Sequence, residues 1–195
     1  MTGGALGVRR ASRADAGAIA KLAKAFGAED GQGTIPMSRA AVLTLGFGPR
    51  RLFWILVATR SRAIVGYALI YPGYDPGEAS IGLHLQDLYV RADLRGVGIG
   101  RALMAAVAEE TRRLGGAWYT WFVRPHNKGG RAFYRAIGAK RLPSIPMYLE
   151  IAVPKSRARP AGLGSHLAAR FKSIGLDHDI EEFRGYPVRP AKFRR

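Results

Sequence analysis

The sequence predicts an α+β fold of the mixed α/β kind, on three observations. Residues 52–59, 63–71 and 80–90 are rich in β-branched and aromatic side chains and are separated by turn-forming residues, so they read as an antiparallel meander. Residues 99–114 place Ile99, Leu103, Val107 and Leu114 at nearly the period of a helix packed along one face. From residue 80 onward a strand, a helix, a strand and a helix follow one another, which requires a crossover and makes two strands parallel. The parallel pairing is expected in the middle of the sheet.

Taken in order, residues 8–10 open a first strand, and Ser12 can cap a helix whose Ile19, Leu22, Ala23 and Phe26 share a face. Glu29 and Asp30 close that helix before Gly31 and Gly33 break it. A second helix is expected over 38–45, ending at Gly46, with Gly46-Phe47-Gly48-Pro49 as a turn. Arg60-Ser61-Arg62 connects the first hairpin. Pro72, Gly73, Asp75, Pro76 and Gly77 make the loop before the third meander strand. Gly115-Gly116 stops the long helix, residues 117–123 form a strand ended by Pro125, and Asn127 can cap a helix over 130–137 with Gly138 behind it. Residues 146–153 read as a last strand. No internal repeat is present.

The chain has 195 residues with 48% apolar character, enough for one core. Lys and Arg number 31 against 14 Asp and Glu, a formal charge of +17 that favours acidic partners such as phosphorylated cofactors, nucleic acid or anionic lipid. The absence of cysteine excludes disulfides, thiolate zinc sites and a cysteine nucleophile. The N-terminus lacks an apolar core of signal-peptide length, and the densest apolar run, 52–58, is too short to span a bilayer. A soluble, cytoplasmic protein with no transmembrane segment is expected. At Pro154 the composition turns basic and proline-containing, which divides the chain into a domain at 1–153 and a mobile tail at 154–195. That tail reads either as an electrostatic arm for nucleic acid or an anionic surface, or as a passive solvated extension; few aromatics interleave its charges.

The most informative stretch joins the strand at 80–90 to the long helix. Gly96, Gly98 and Gly100 alternate with Val97 and Ile99, so backbone amides can approach a ligand at the positive end of a helix, which suits an anion. A phosphate-binding P-loop requires Lys and Ser or Thr after its last glycine, and Arg101-Ala102 stand there instead. A dinucleotide fingerprint requires a glycine at 101 and an acidic residue after the next strand; Arg101 and Arg124 leave only an NADP variant open. Glycines that merely permit a tight turn are the plain alternative.

Arg95-Gly96-Val97-Gly98-Ile99-Gly100, preceded by the strand at 85–90, resembles the acetyl-CoA pyrophosphate loop of the GNAT superfamily of N-acetyltransferases. Asn127, Ala132-Phe133-Tyr134 and Gly138-Ala139 resemble that superfamily's downstream motif. Gly46-Phe47-Gly48, Gly66-Tyr67-Ala68 and Tyr74-Asp75-Pro76 are similar in order to the spermidine/spermine and thialysine branch. The resemblance covers about residues 8–153. It implies a mostly antiparallel sheet flanked by helices and splayed between its fourth and fifth strands, with acetyl-CoA as cosubstrate and no metal. It further implies that backbone groups of Leu88, Tyr89 and Val90 meet the pantetheine arm. Arg95, Gly96, Val97, Gly98, Ile99, Gly100 and Arg101 would hold the pyrophosphate, and Asn127, Gly130 and Tyr134 would flank the thioester. Leu88 N–H is the implied oxyanion donor and Tyr134 the implied general acid, since a phenol keeps its proton at neutral pH. A homodimer is also implied.

The branch carries Leu-Glu-Asp where this chain has Leu85-Gln86-Asp87, and an amide cannot act as a base. Strict strand alternation groups His84, Gln86, Leu88 and Val90 on one face, with Leu85, Asp87 and Tyr89 on the other. His84 is then the substitute base, directly or through water. Glu29, Asp30, Gln86 and Asp87 are the candidate contacts to an amine substrate: a polyamine, a diamine or a lysine-like amine. A GNAT-like protein that binds CoA without efficient catalysis, and a nucleic-acid-associated protein acting through the tail, are the alternatives.

Overall fold

The computed structural model describes residues 5–31, 35–144 and 146–147. The chain divides into two units, Met1–Leu142 and Pro143–Arg195, and every described strand and helix belongs to the first. The strand expected at 146–153 lies outside the described residues except for Pro146 and Met147, which are in no strand; the tail at 154–195 lies wholly outside them.

Five strands form one sheet in the order β1-β2-β3-β4-β5: Leu6–Arg10, Trp54–Arg60, Ala63–Asp75, Ser80–Val90 and Trp118–Trp121. The first four are antiparallel and β5 joins β4 in parallel. The crossover is therefore present, but the parallel pair closes one side of the described sheet rather than its middle. Its connection is the long helix α3, Ile99–Arg113. Helices α1 (Ala16–Glu29) and α2 (Arg39–Phe47) precede β2, and α4 (Lys128–Ala136) follows β5. None of the described helices is long and apolar enough to cross a membrane.

Several boundaries differ from the sequence expectation for local reasons. Ser12 begins a single 3₁₀ turn at Arg13–Asp15, where its N–H and hydroxyl both donate to Asp15 Oδ2, at 2.6 and 2.9 Å, before α1 starts. Helix α2 runs through Gly46 because Phe53 packs where a side chain would stand, its ring 3.0 Å from the position of a Cβ. Strand β3 continues through Pro72 and Gly73 to Asp75, since β2 has already ended opposite Ile70. Among the described strands only one side of β3 is paired there, so a missing N–H is tolerated.

The sheet buries apolar residues on both faces. Leu56, Ala68, Ile70, Leu83 and Leu85 meet Leu103, Met104 and Val107 of α3. On the other face Val57, Tyr67, Leu69 and Tyr89 meet Ile19 and Ala23 of α1 and Val42 of α2. Each fully buried aliphatic contributes roughly 1.5–3 kcal/mol. Glu110 of α3, itself buried, is held by Arg113 at 2.6 Å and by Arg10 of β1, which ties the first strand to the crossover helix.

Candidate active site

β4 and β5 are paired only from Gly82 to Leu85 on β4, against Trp118–Trp121. Beyond that point β4 continues to Val90 with β3 as its one partner among the described strands, so the described sheet opens there. The opening coincides with a β-bulge. Ile70 pairs with Leu85 and Leu69 with Asp87, leaving Gln86 as the extra residue.

The bulge reverses the alternation along β4. Leu83 and Leu85 belong to the α3 core, and so do Leu88 and Val90. Asp87 and Tyr89 lie on the α1–α2 face, and His84, paired with Tyr71 and with its ring tilted against it at 5.2 Å between centroids, shares that face. The grouping of His84 with Leu88 and Val90 is thus corrected: one inserted residue shifts the phase of everything after it.

Backbone directions follow from one hydrogen bond. Arg91 N–H donates to Val65 O at 3.0 Å, on the β3 side. Leu88 and Val90 occupy the alternate positions, so their N–H and C=O groups point into the opening, and the carbonyl of Val90 accepts from Arg95 Nε at 2.9 Å.

The glycine turn continues from there. Gly96 and Gly98 adopt φ of 78° and 89°, which only glycine takes without strain, and Gly98 is the N-cap of α3 with no side chain capping the helix. The first α3 amide bonded to a carbonyl one turn back is Ala102, to Gly98 O at 3.0 Å; the amides of Ile99, Gly100 and Arg101 precede it. Val97 is exposed in this turn, and a Cβ at Gly96 or Gly98 would meet nothing within 4 Å. Among the described residues the turn thus offers a row of amides without a backbone partner at a positive helix end. Arg101 lies beside them, with a long 3.5 Å contact to Ala136 O of α4.

Glu29 and Asp30, expected at the substrate, are otherwise engaged. Glu29 accepts from Tyr89 Oη at 2.6 Å and pairs with Arg95, whose guanidinium also sits over the Tyr89 ring at 5.4 Å. Burial opposes the Glu29 carboxylate, but these two donors outweigh it and hold its pKa below the usual value. Burial, and then the contact with Glu29, push Tyr89 up to about 12. Asp30 is paired with Arg124 Nε at 2.7 Å. The end of α1 therefore braces the turn after β4.

Asp87 accepts from the buried Tyr67 hydroxyl at 3.0 Å. Burial raises its pKa; the Tyr67 bond works against that shift and the nearby charge of Asp30 adds to it. Asp87 and exposed Gln86 line a groove of about 560 Å³, together with Leu69 and Tyr71 of β3. His84 is fixed behind Tyr71, with Nδ1 2.7 Å from Thr120 Oγ1 and the Trp118 ring at 5.5 Å. It is not among the residues lining the groove.

Tyr134 stands across the opening. It packs on Trp121, the β5 residue paired with Leu85, with ring centroids 5.0 Å apart, and burial pushes its pKa up to about 12. Asn127 caps α4, its Oδ1 accepting from Gly130 N–H at 2.7 Å. Phe133 lies beside Gly100, 3.4 Å from where a Cβ would be, so α4 and the start of α3 are neighbours. Tyr67, Tyr71 and Trp121 were not singled out in the sequence as site residues. Tyr67 lay within the quoted Gly66-Tyr67-Ala68 run, whereas nothing local marked the other two.

A parallel crossover, a sheet opened at a bulge and a glycine turn at the start of α3 meet in one cleft. The acetyltransferase (GNAT) family model matches residues 24–139, and the chain belongs to that family. It is 29% identical over 144 residues to the thialysine N-epsilon-acetyltransferase of Bos taurus, an alignment that covers 69% of this chain and 84% of that one. A human spermidine/spermine N(1)-acetyltransferase-like protein is 29% identical over 110 residues, covering 52% of this chain and 16% of that one. Among solved structures, an aminoglycoside acetyltransferase from an uncultured soil metagenomic sample, in complex with sisomicin, superposes with a TM-score of 0.64 at 19% identity. It covers 75% of this chain and 97% of that one, which is a likeness of fold.

Proposed function

We propose that the chain transfers the acetyl group of acetyl-CoA to a primary amine of a small molecule by direct attack. The observation that carries this reading is the continuity of the β4 edge. Leu88 and Val90 turn their backbone groups into the opening and lead directly into the free amides at Gly98–Arg101. A pantetheine arm can pair with the one and a pyrophosphate can be held by the other, with Arg95 and Arg101 adding charge.

In this reading the neutral amine nitrogen attacks the thioester carbonyl, and a C–N bond forms while the carbonyl electron pair moves to oxygen. Leu88 N–H stabilises that oxyanion. The C–S bond then breaks, and Tyr134 donates a hydrogen bond and then a proton to the thiolate. A phenol held near 12 stays protonated throughout the working range, so Tyr134 is always ready to donate. Because a thiol titrates near 8.5, full transfer from Tyr134 is uphill, and the hydrogen bond supplies much of the benefit.

The amine must also lose a proton. Gln86 cannot accept it. His84 and Asp87 share the acceptor face, and Asp87, which lines the groove, is assigned this role, directly or through water. His84, held by Thr120, supports Tyr71 from behind. Thiol release from acetyl-CoA in the presence of a primary-amine panel, with the acetylated amine identified by mass spectrometry, tests the proposal. Release without an acetylated amine would show a thioesterase instead, and CoA binding without release would favour a non-catalytic CoA-binding protein.

A further inference from the structure

We infer that the acceptor is a primary amine carried on an apolar alkyl or aryl body, rather than a polyamine or an amino acid. The inference rests on the N-acetyltransfer reading and concerns the shape and charge of the groove beside β4. At its β4 end stand Gln86 and Asp87. Everything else that lines it among the described residues is uncharged and largely apolar. Leu69 and Tyr71 form the floor on β3, Leu52 and Phe53 lie at the entry to β2, and Ile35, Pro36 and Met37 come from the segment before α2. Two strand spacings, roughly 10 Å, separate β4 from β2, and a ring or a short alkyl chain spans that distance.

The charges decide between substrate classes. An ammonium at Asp87 is matched by one carboxylate, with Gln86 offering a carbonyl oxygen beside it. A polyamine needs further anions along its length to offset desolvation of its other ammonium groups. Glu29 is committed to Tyr89 and Arg95, and Asp30 to Arg124, and neither lines the groove. An amino-acid acceptor would bring an α-carboxylate, and no Lys or Arg is among the described lining residues to receive it. An apolar body instead gains from leaving water against Leu69, Phe53 and Met37.

The test is initial-rate kinetics at saturating acetyl-CoA with phenethylamine, hexylamine, spermidine, ornithine and thialysine. We expect kcat/KM for phenethylamine and hexylamine to exceed that for each polar amine by about tenfold or more. A polar amine that equals or leads them overturns the inference while leaving acetyl transfer standing. Leu52 is 62% exposed, so Leu52→Glu tests the groove with little risk to folding. It should narrow the phenethylamine-to-spermidine preference by about tenfold, and an unchanged preference overturns the assignment. Calorimetric titration of phenethylamine and spermidine into the CoA-loaded protein separates the two failures. If no amine is acetylated, the transfer reading fails and the acceptor role with it, while tighter binding of phenethylamine upholds the groove's selection of an amine on an apolar body. Tighter binding of spermidine, or binding of neither, overturns it.

Discussion

Asp87 and Tyr134 face opposite demands in the proposed chemistry, and burial moves both pKa values upward. For Asp87 this means that its neutral form persists to higher pH than for an exposed carboxylate, so the acid limb of the rate profile should report it. Activity is expected to fall as pH drops through the raised Asp87 pKa, and Asp87→Asn should lower kcat/KM while abolishing that limb. His84→Ala should leave the limb in place; a pH–rate series on the two variants checks this, and loss of the limb in His84→Ala alone would return the base role to His84. Tyr134→Phe should lower kcat roughly 100-fold while CoA affinity by calorimetry stays unchanged. Equal turnover would remove Tyr134 from the reaction. At this scale the turn glycines were legible from the residues themselves, and Gly96 and Gly98 do take positive φ, whereas Tyr134 and the Gln86 substitution stood out only through the family resemblance. The partners of Glu29 and Asp30 were not legible, because contacts with Arg95 and Arg124 span 66 and 94 positions.

Strand β4 matches its sequence bounds of 80–90, since alternating apolar residues between turn formers leave little freedom. Its bulge also left a trace: the apolar positions Leu83 and Leu85 are followed by Leu88 and Val90, a spacing of three where two was due. Strict alternation passed over that phase break, and with it the face of His84. The ends of α2 and β3 were harder, because Gly46 and Pro72 are breakers whose effect depends on Phe53 and on where β2 stops. In the turn before α3, Gly98→Ala is expected to cost about 1–2 kcal/mol in the left-handed conformation and to weaken CoA binding, as denaturant melts and calorimetry would show. The start of α1 gives a pH-dependent prediction. Arg9 hydrogen bonds hold Asp15 at about 2, against burial and with help from Ser12. A depressed carboxylate stabilises the fold above its unfolded pKa, and that stability is lost as pH falls from about 4 towards 2. Asp15→Asn should lower neutral-pH stability by about 1–2 kcal/mol and flatten that window in urea melts at stepped pH.

The whole molecule was legible as a class from succession alone: a meander, a glycine turn, a helix and a parallel strand restrict the fold to few topologies. The acceptor groove was not legible, because it is assembled from the segment before α2, the entry to β2, and β3 and β4. The charge of +17 should draw in a polyanionic cosubstrate, so KM for acetyl-CoA is expected to rise with added salt in steady-state assays. The basic residues at 154–195 carry a separate proposal. If that segment binds nucleic acid, salt-sensitive RNA retention should vanish on truncation after Pro154, and retention by neither form would leave it a passive extension. A homodimer, proposed from resemblance, is checked by sedimentation velocity. The most direct measurement of the central claim is rapid-quench single turnover of protein-bound acetyl-CoA mixed with a primary amine, following free thiol and acetylated amine together. Direct attack at the β4 opening predicts that both appear at one rate, with no acetyl group on the protein. An acetylated protein that forms before the amide, or thiol released without amide, would contradict it.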